Sequence, residues 1–160
     1  MLKHLIAGLS VLAASAAILT ASAQQDQPSP EQLATAAAET RQGLFKLLGY
    51  NMGGISGMAR GTVDFDAAVA ERNARRIAAL APMIPELFAA RDTRQFDLVT
   101  EALPIIWDRQ EEFREKAMNL ENAANTFAEL AAGGDRAQIL GGIRAFGGAC
   151  GNCHETFRVD

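Results

Sequence analysis

Apolar residues recur at alternating steps of three and four along most of this chain, which is the spacing of helices that bury one side. No stretch of useful length alternates apolar and polar residues with a period of two, so the pattern does not predict strands. Four helical segments are predicted: one at about residues 30–58, a second that starts near Asp64 or Asp66, and two more at about 104–132 and 135–157. A connection at about residues 91–101 separates the second from the third. Because most of their connections are short, the pattern predicts an all-α fold, an antiparallel four-helix bundle.

The ends of these segments carry common helix signals. Asp64 or Asp66 is expected to cap the second helix and Asp135 the fourth, because a carboxylate accepts hydrogen bonds from the first free backbone amides. The prolines within residues 82–85 break or kink the second helix, and Pro104 suits the first turn of the third.

The predicted inward faces follow from the apolar steps. The first helix is expected to bury Leu33, Ala37, Thr40, Leu44, Leu47 or Leu48, Met52 and Ile55, and the fourth Ile139, Ile143, Phe146, Cys150, Cys153 and Phe157. The glycines at 53, 54 and 57 cost roughly 1 kcal/mol each against alanine in a helix interior. The first helix therefore either frays at these glycines or is crossed there closely by another helix.

The first 23 residues have the pattern of a cleaved signal peptide. Lys3 precedes an apolar run at residues 5–19, and Ala21-Ser22-Ala23 has the small-x-small pattern of a cleavage site. The run is short for a membrane span, which needs about 20 residues, although an uncleaved anchor is the alternative. We expect cleavage after Ala23, a mature domain at residues 24–160, a periplasmic location and no membrane attachment after cleavage.

The charge balance is mildly acidic, with 15 Lys and Arg against 19 Asp and Glu. Loss of Lys3 with the signal makes the mature chain one unit more negative. Since no basic run is present, nothing in the sequence favours binding to nucleic acid or to anionic lipid.

The fourth predicted helix contains Cys150-Gly151-Asn152-Cys153-His154, a C-x-x-C-H sequence that signals attachment of c-type haem. Two thiols must reach the two vinyl groups of the porphyrin, and an imidazole must reach its iron. Positions i, i+3 and i+4 share one face of a helix, so Cys150, Cys153 and His154 can point the same way. The sequence therefore predicts one covalently bound haem c.

Two other uses of these residues are less consistent with the chain. A structural zinc site usually needs four protein ligands, and the mature chain offers three strong ones. A redox C-x-x-C pair usually lies near a βαβ pattern, which the periodicity does not predict.

The sixth position on the iron is left open by the residues. His154 is the only histidine after His4 departs with the signal, so a second histidine ligand from this chain is excluded. The position is empty, or it is filled by methionine, lysine or an external group. The methionines of the mature chain, at 52, 58, 83 and 118, are expected to fill the core, and Met52 is the first candidate for a ligand.

Taken together, these features make the sequence resemble the cytochrome c′ family over essentially all of the mature chain. The resemblance rests on the order and spacing of short motifs: Arg41-Gln42, Ala59-Arg60-Gly61, Phe65-Asp66-Ala67-Ala68, Pro104-x-x-Trp107 and Cys150-x-x-Cys153-His154-x-x-Phe157-Arg158. It implies a four-helix bundle with the haem bound by its last helix.

The resemblance also implies roles for individual residues. Cys150 and Cys153 would hold the haem by thioethers, with His154 as the proximal ligand. Arg41 and Gln42 would lie at a haem propionate, although an exposed helical arginine is the alternative for Arg41. Arg158 would lie beside the proximal face or be a solvated terminal charge, and Phe88 would line the distal side.

The position four residues after Arg41 faces the distal side of the iron in this family. Low-spin relatives place a methionine there, whereas five-coordinate members have an apolar residue, and this chain has Phe45. Met52 lies seven residues further, about 10 Å along a helix, which is too far to replace a methionine at position 45.

A five-coordinate haem behind an apolar residue is expected to bind small diatomic gases, nitric oxide and carbon monoxide, and to transfer electrons. The alternative is a six-coordinate, low-spin electron carrier with a methionine ligand. An enzyme such as a peroxidase is not expected, because no distal acid–base pair is evident. The resemblance also implies a possible homodimer through the first two helices, whereas the redox partner is not indicated.

Overall fold

The computed structural model describes residues 27–159. The predicted signal peptide at residues 1–23 lies outside this range. The described residues form five α-helices, namely α1 (Pro30–Arg60), α2 (Ala67–Leu80), α3 (Met83–Ala89), α4 (Gln110–Ala132) and α5 (Arg136–Phe157), with a 3-10 turn at Pro104–Trp107. Within residues 27–159, no helix combines the length and the apolar character that crossing a membrane requires.

Helix α1 begins and ends at residues suited to helix termini. The side chain of Ser29 accepts from the backbone of Gln32, whose side chain accepts in return from the backbone of Ser29. Pro30 occupies the first turn, where a missing amide hydrogen costs nothing. The helix ends at Gly61, whose φ of 69° lies in the left-handed region that glycine adopts without strain.

The helices form an up-and-down antiparallel bundle in which α2 and α3 together make the second member. Helix α2 begins at Asp66, the predicted cap, and ends before the prolines at 82 and 85, where α3 continues with Pro85 in its first turn. Helix α2 packs on α1 and α4, and α4 packs on α5. The predicted fold is therefore confirmed.

All five helices contribute residues to the core, and α4 and α5 pack closely within it. Between α4 and α5, the rings of Phe127 and Phe146 stack with centroids 5.0 Å apart. Gly142 permits this close packing, because a β-carbon there would come within 2.8 Å of Leu130.

The observed inward face of α1 differs from the prediction. Leu33 and Thr40 are exposed, and of the two leucines proposed for one position Leu48 is buried. The buried face instead includes Arg41 and Asn51, which the apolar pattern missed because both are polar.

The other differences concern the methionines and the start of the third helix. Met58 is buried and Met52 is half-buried. Met83 and Met118 are exposed, so the prediction that these two methionines fill the core is wrong. Pro104 opens a separate 3-10 turn rather than α4, because Arg109 has a non-helical backbone that interrupts the two elements.

The glycines at 53, 54 and 57 do not fray α1, which is continuous through all three. A β-carbon on Gly54 would stand 2.9 Å from the side-chain nitrogen of Asn73 on α2. That nitrogen donates to the backbone oxygen of Asn51 at 3.4 Å. Of the two expectations, close approach by another helix is the correct one at Gly54, whereas Gly53 has open space beside it.

Candidate haem site

The residues that the sequence singles out gather at one end of the bundle. This end contains the first half of α1, helix α3, the start of α4 and the end of α5. The ring centroids of Phe113 on α4 and Phe157 on α5 lie 5.1 Å apart, which places the end of α5 beside the start of α4. Arg41 on α1 donates to the backbone of Leu87 on α3, so that α1 and α3 meet at the same end.

Cys150, Cys153 and His154 lie on α5, with both cysteines half-buried against the core and the imidazole exposed. Both thiols are free. Burial raises the pKa of each thiol, and for Cys153 the positive charge of Lys116 partly opposes the rise.

Partial burial lowers the pKa of His154, and the positive charge of Arg158 lowers it further, while Glu101 acts in the opposite direction. The lowered pKa favours the neutral imidazole, which is the form that ligates a metal. Two free thiols and a neutral imidazole spaced i, i+3 and i+4 fit the attachment and ligation of a c-type haem.

The heights of Phe45 and His154 along the bundle follow from a contact between α1 and α5. A β-carbon on Gly147 would stand 3.6 Å from the terminal methyl of Met52, so these two residues lie at one level. Phe45 lies seven residues before Met52 on α1, and His154 lies seven residues after Gly147 on α5. Because the two helices are antiparallel, both steps lead in the same direction along the bundle. Since each separation is about 10 Å, Phe45 and His154 lie at similar heights, to within about one helical turn.

Phe45 is 39% exposed and borders a cluster of aromatic rings. The buried ring of Phe88 lies 6.4 Å from Phe45, 5.7 Å from Trp107 and 5.0 Å from Phe113, measured between centroids. The indole nitrogen of Trp107 donates to the backbone oxygen of Phe88 at 3.1 Å. Phe88 thus lies on the core side of Phe45, and the hydrogen bond from Trp107 to its backbone oxygen holds Phe88 in place.

Arg41 is a buried cation, only 5% exposed. Its guanidinium donates to the backbone oxygens of Leu87 and Arg91 and to the hydroxyl of Thr93, the last at 3.0 Å. Burial lowers its pKa, and the nearby carboxylate of Asp92 partly offsets that effect. Arg41 is therefore not an exposed helical arginine: it fastens the end of α3 to α1, and its contact with a propionate stays a prediction.

Residues 90–103, which connect α3 to the 3-10 turn, form a segment that we call the strap. The side-chain nitrogen of Gln42 on α1 donates to the backbone oxygen of Val99 at 2.8 Å. Arg158, just after α5, donates to the carboxylate of Glu101, also at 2.8 Å. Gln42 and Arg158, both predicted beside the haem, thus hold the strap from opposite sides.

Sequence reasoning missed Glu101 and Thr93, because neither belongs to a motif. A partial signal existed for the burial of Arg41. Ala34, Ala38, Leu44 and Leu48 are all buried and spaced as one helical face, and Arg41 falls on that face.

Comparison with known proteins identifies the family. The model of the family described as cytochrome C' matches residues 36–158, which is most of the chain. The chain belongs to the cytochrome c′ family. Cytochrome c-554 from Cereibacter sphaeroides is 40% identical over 121 residues, covering 75% of this chain and 78% of that protein. Cytochrome c′ from Pararhodospirillum photometricum is 34% identical over 130 residues, covering 81% and 98%.

Solved structures agree with the fold. Cytochrome c′ from Shewanella frigidimarina superposes with a TM-score of 0.70 at 33% identity, covering 79% of this chain and 97% of that one. A second cytochrome c′ has a TM-score of 0.69 at 30% identity, covering 84% and 99%. Membership of this family makes covalent haem c the cofactor of the chain, whose two cysteines lie near its C-terminus.

Proposed function

We propose that this cytochrome c′ is exported to the periplasm and binds nitric oxide and carbon monoxide at a five-coordinate haem, with electron transfer as an accompanying activity. In this proposal Cys150 and Cys153 form the thioethers and His154 is the only protein ligand to iron. Export rests on the signal-peptide pattern at residues 1–23.

The proposal rests on the height of Phe45, which is inferred to lie within about one helical turn of His154 from the Met52–Gly147 distance and equal seven-residue separations. A phenyl ring has no lone pair to give to iron, so Phe45 would supply no second protein ligand beside His154. It also has no hydrogen-bond donor for bound dioxygen, whereas nitric oxide and carbon monoxide need none on ferrous haem. Selectivity among gases would therefore come from Phe45.

Access to the iron is limited by the packing of that ring. Phe45 meets the edge of Phe88, with an angle of 61° between the ring planes, and Phe88 is itself buried. An incoming gas displaces Phe45 toward solvent, because Phe88 blocks movement toward the core. The barrier to binding is therefore steric.

The competing function is electron transfer by a low-spin haem with a methionine ligand. The position of Met52 disfavours it, since its methyl lies near Gly147, about 10 Å along the helices from His154. An enzymatic role as a peroxidase is disfavoured because Phe45 would supply a phenyl ring where a peroxidase needs an acid–base pair.

An absorption spectrum of the oxidised and reduced protein tests the proposal. We expect a predominantly high-spin ferric haem and no methionine-to-iron charge-transfer band in the near infrared. A low-spin spectrum that becomes high-spin in Met52→Ala, but not in Met118→Ala, would show that Met52 ligates the iron. It would favour the electron-carrier function instead. Met118 is a matched control because it is exposed on α4.

Attachment of the haem is tested separately by extraction. Acid acetone should leave the colour with the wild-type polypeptide and remove it from the Cys150→Ala/Cys153→Ala variant. Extraction of haem from the wild type would disprove the thioethers. The mass of the mature protein should also lack residues 1–23.

A homodimer through α1 and α2 is part of the proposal. Leu47 and Tyr50 are 53% and 75% exposed on α1, and Gly43 beside them leaves open space for a second helix. The 30% identical cytochrome c′ described above shows ligand-controlled dimer dissociation. Sedimentation at micromolar concentration should find a dimer, and Tyr50→Glu should yield a monomer; a wild-type monomer would contradict this part.

A further inference from the structure

We propose that Glu101 is a positioning residue for His154, and that it acts through Arg158 and the strap. It lies outside the haem-attachment motif and belongs to the connection between α3 and α4. The inference rests on the proposed role of His154 as the only protein ligand to iron.

The strap links the helix that carries Phe45 to the helix that carries His154. Val99 accepts a hydrogen bond from Gln42, three residues before Phe45 on α1. Glu101 is bonded to Arg158, four residues after His154. Val99 and Glu101 are two residues apart, which is at most about 7 Å of extended chain. This short stretch therefore limits the spacing of α1 and α5 at the level of Phe45 and His154.

The strap is joined to the end of α5 by its backbone as well. The amide of Leu103 donates to the oxygen of Phe157 at 2.9 Å, and the amide of Val159 donates to the oxygen of Glu101 at 2.8 Å. Ala102 and Arg158 form an isolated antiparallel bridge between these bonds. Residues 157–159, at and just after the end of α5, are thus joined to the strap around a single β-bridge, and we call this pairing the ladder.

Arg158 connects this ladder to His154 directly. Its backbone amide donates to the backbone oxygen of His154 at 3.1 Å, which is the final hydrogen bond of α5. Its side chain is held by Glu101. A change at Glu101 therefore reaches the backbone of His154 through one residue.

The ion pair contributes orientation more than stability. The side chains of Arg158 and Glu101 are 47% and 71% exposed, and exposed pairs contribute little to folding because water and salt screen them. Without the pair, the ladder keeps its backbone bonds but opens more often. His154 would then sample more orientations of its helical turn.

The experiment compares Glu101→Ala with Asp97→Ala in the haem-loaded protein. Asp97 is an exposed acid of the same strap with no hydrogen bond or ion pair to residues 27–159, so its variant removes the same charge without touching the ladder. Hydrogen exchange at the amide of Leu103 should be about two- to fivefold faster in Glu101→Ala and unchanged in Asp97→Ala.

A second readout follows the ligand itself. The iron–histidine stretching band of the ferrous protein, measured by resonance Raman, should broaden in Glu101→Ala and not in Asp97→Ala. Exchanging the charges, as Glu101→Arg with Arg158→Glu, should restore both readouts toward wild type.

Equal exchange at Leu103 in the two single variants would overturn the role of Glu101 in holding the strap. Faster exchange with an unchanged iron–histidine band would overturn its role in positioning His154. A six-coordinate, low-spin spectrum would instead contradict the five-coordinate haem of the proposed function, while the exchange rates would still decide whether Glu101 holds the strap.

Discussion

The guanidinium of Arg41 lies 4.5 Å from the centre of the Phe88 ring, and both residues are buried. A cation over an aromatic face is attracted by the electrons of the ring, and more strongly when both are buried. Phe88 in turn backs Phe45. A buried charge on α1 therefore helps to hold the ring that limits movement of Phe45.

Arg41→Lys should lower the free energy of unfolding by about 2 kcal/mol, measured by urea denaturation of the haem-loaded protein. Lysine keeps the charge but lacks the planar fork that bonds two backbone oxygens and the hydroxyl of Thr93 together. The control Arg114→Lys changes an exposed arginine on α4 and should have little effect. Equal losses in both variants would contradict a fastening role for Arg41.

Phe45→Ala should speed association of carbon monoxide with the ferrous protein about tenfold or more, because it removes a steric barrier of at least about 1.4 kcal/mol. Phe45→Met should instead move the ferric iron toward a six-coordinate, low-spin spectrum and slow gas binding. Flash photolysis and absorption spectra measure these effects. Leu47→Ala, an exposed change two residues away, is the control, and an equal acceleration in it would contradict the placement of Phe45.

Gly53→Ala and Gly54→Ala should differ in their effects on stability although the residues are neighbours. Alanine at 53 meets open space and should raise the free energy of unfolding by roughly 0.5–1 kcal/mol through helix propensity. Alanine at 54 displaces the buried side chain of Asn73 and its hydrogen bond to α1. The free energy of unfolding of Gly54→Ala should therefore be about 1 kcal/mol or more lower than that of Gly53→Ala. Thermal unfolding of both variants checks this difference.

Asp135 should make the stability of the protein fall in acid. Its pKa is lowered chiefly because its carboxylate accepts the backbone amide of Gln138 at 3.0 Å, at the start of α5. A carboxyl with a lower pKa in the folded state stabilises the fold above its unfolded pKa of about 4 and loses that contribution as the pH falls through the folded value.

Asp135→Asn supplies the control for this pH dependence. Asparagine can accept the same hydrogen bond but does not titrate in this range. Urea denaturation between about pH 5 and pH 3 should therefore show a shallower fall for the variant than for the wild type. Parallel curves would assign the acid sensitivity to other carboxylates.

The sequence by itself determined what depends on near neighbours along the chain. Apolar spacing located the helices, since residues three and four apart share a face whatever they pack against. The carboxylates of Asp66 and Asp135 marked two helix starts, because a cap bonds amides within three residues. The spacing of Cys150, Cys153 and His154 indicated haem attachment for the same reason.

Only the tertiary structure decided which polar residues are buried and how the strap is held. Arg41 is buried because its donors find oxygens 46 to 52 residues away, and Arg158 bonds Glu101 at a separation of 57. A local pattern counts such residues as solvated, since an unpaired charge is costly to bury. Partners from distant segments remove that cost, and they come together only once the bundle has formed.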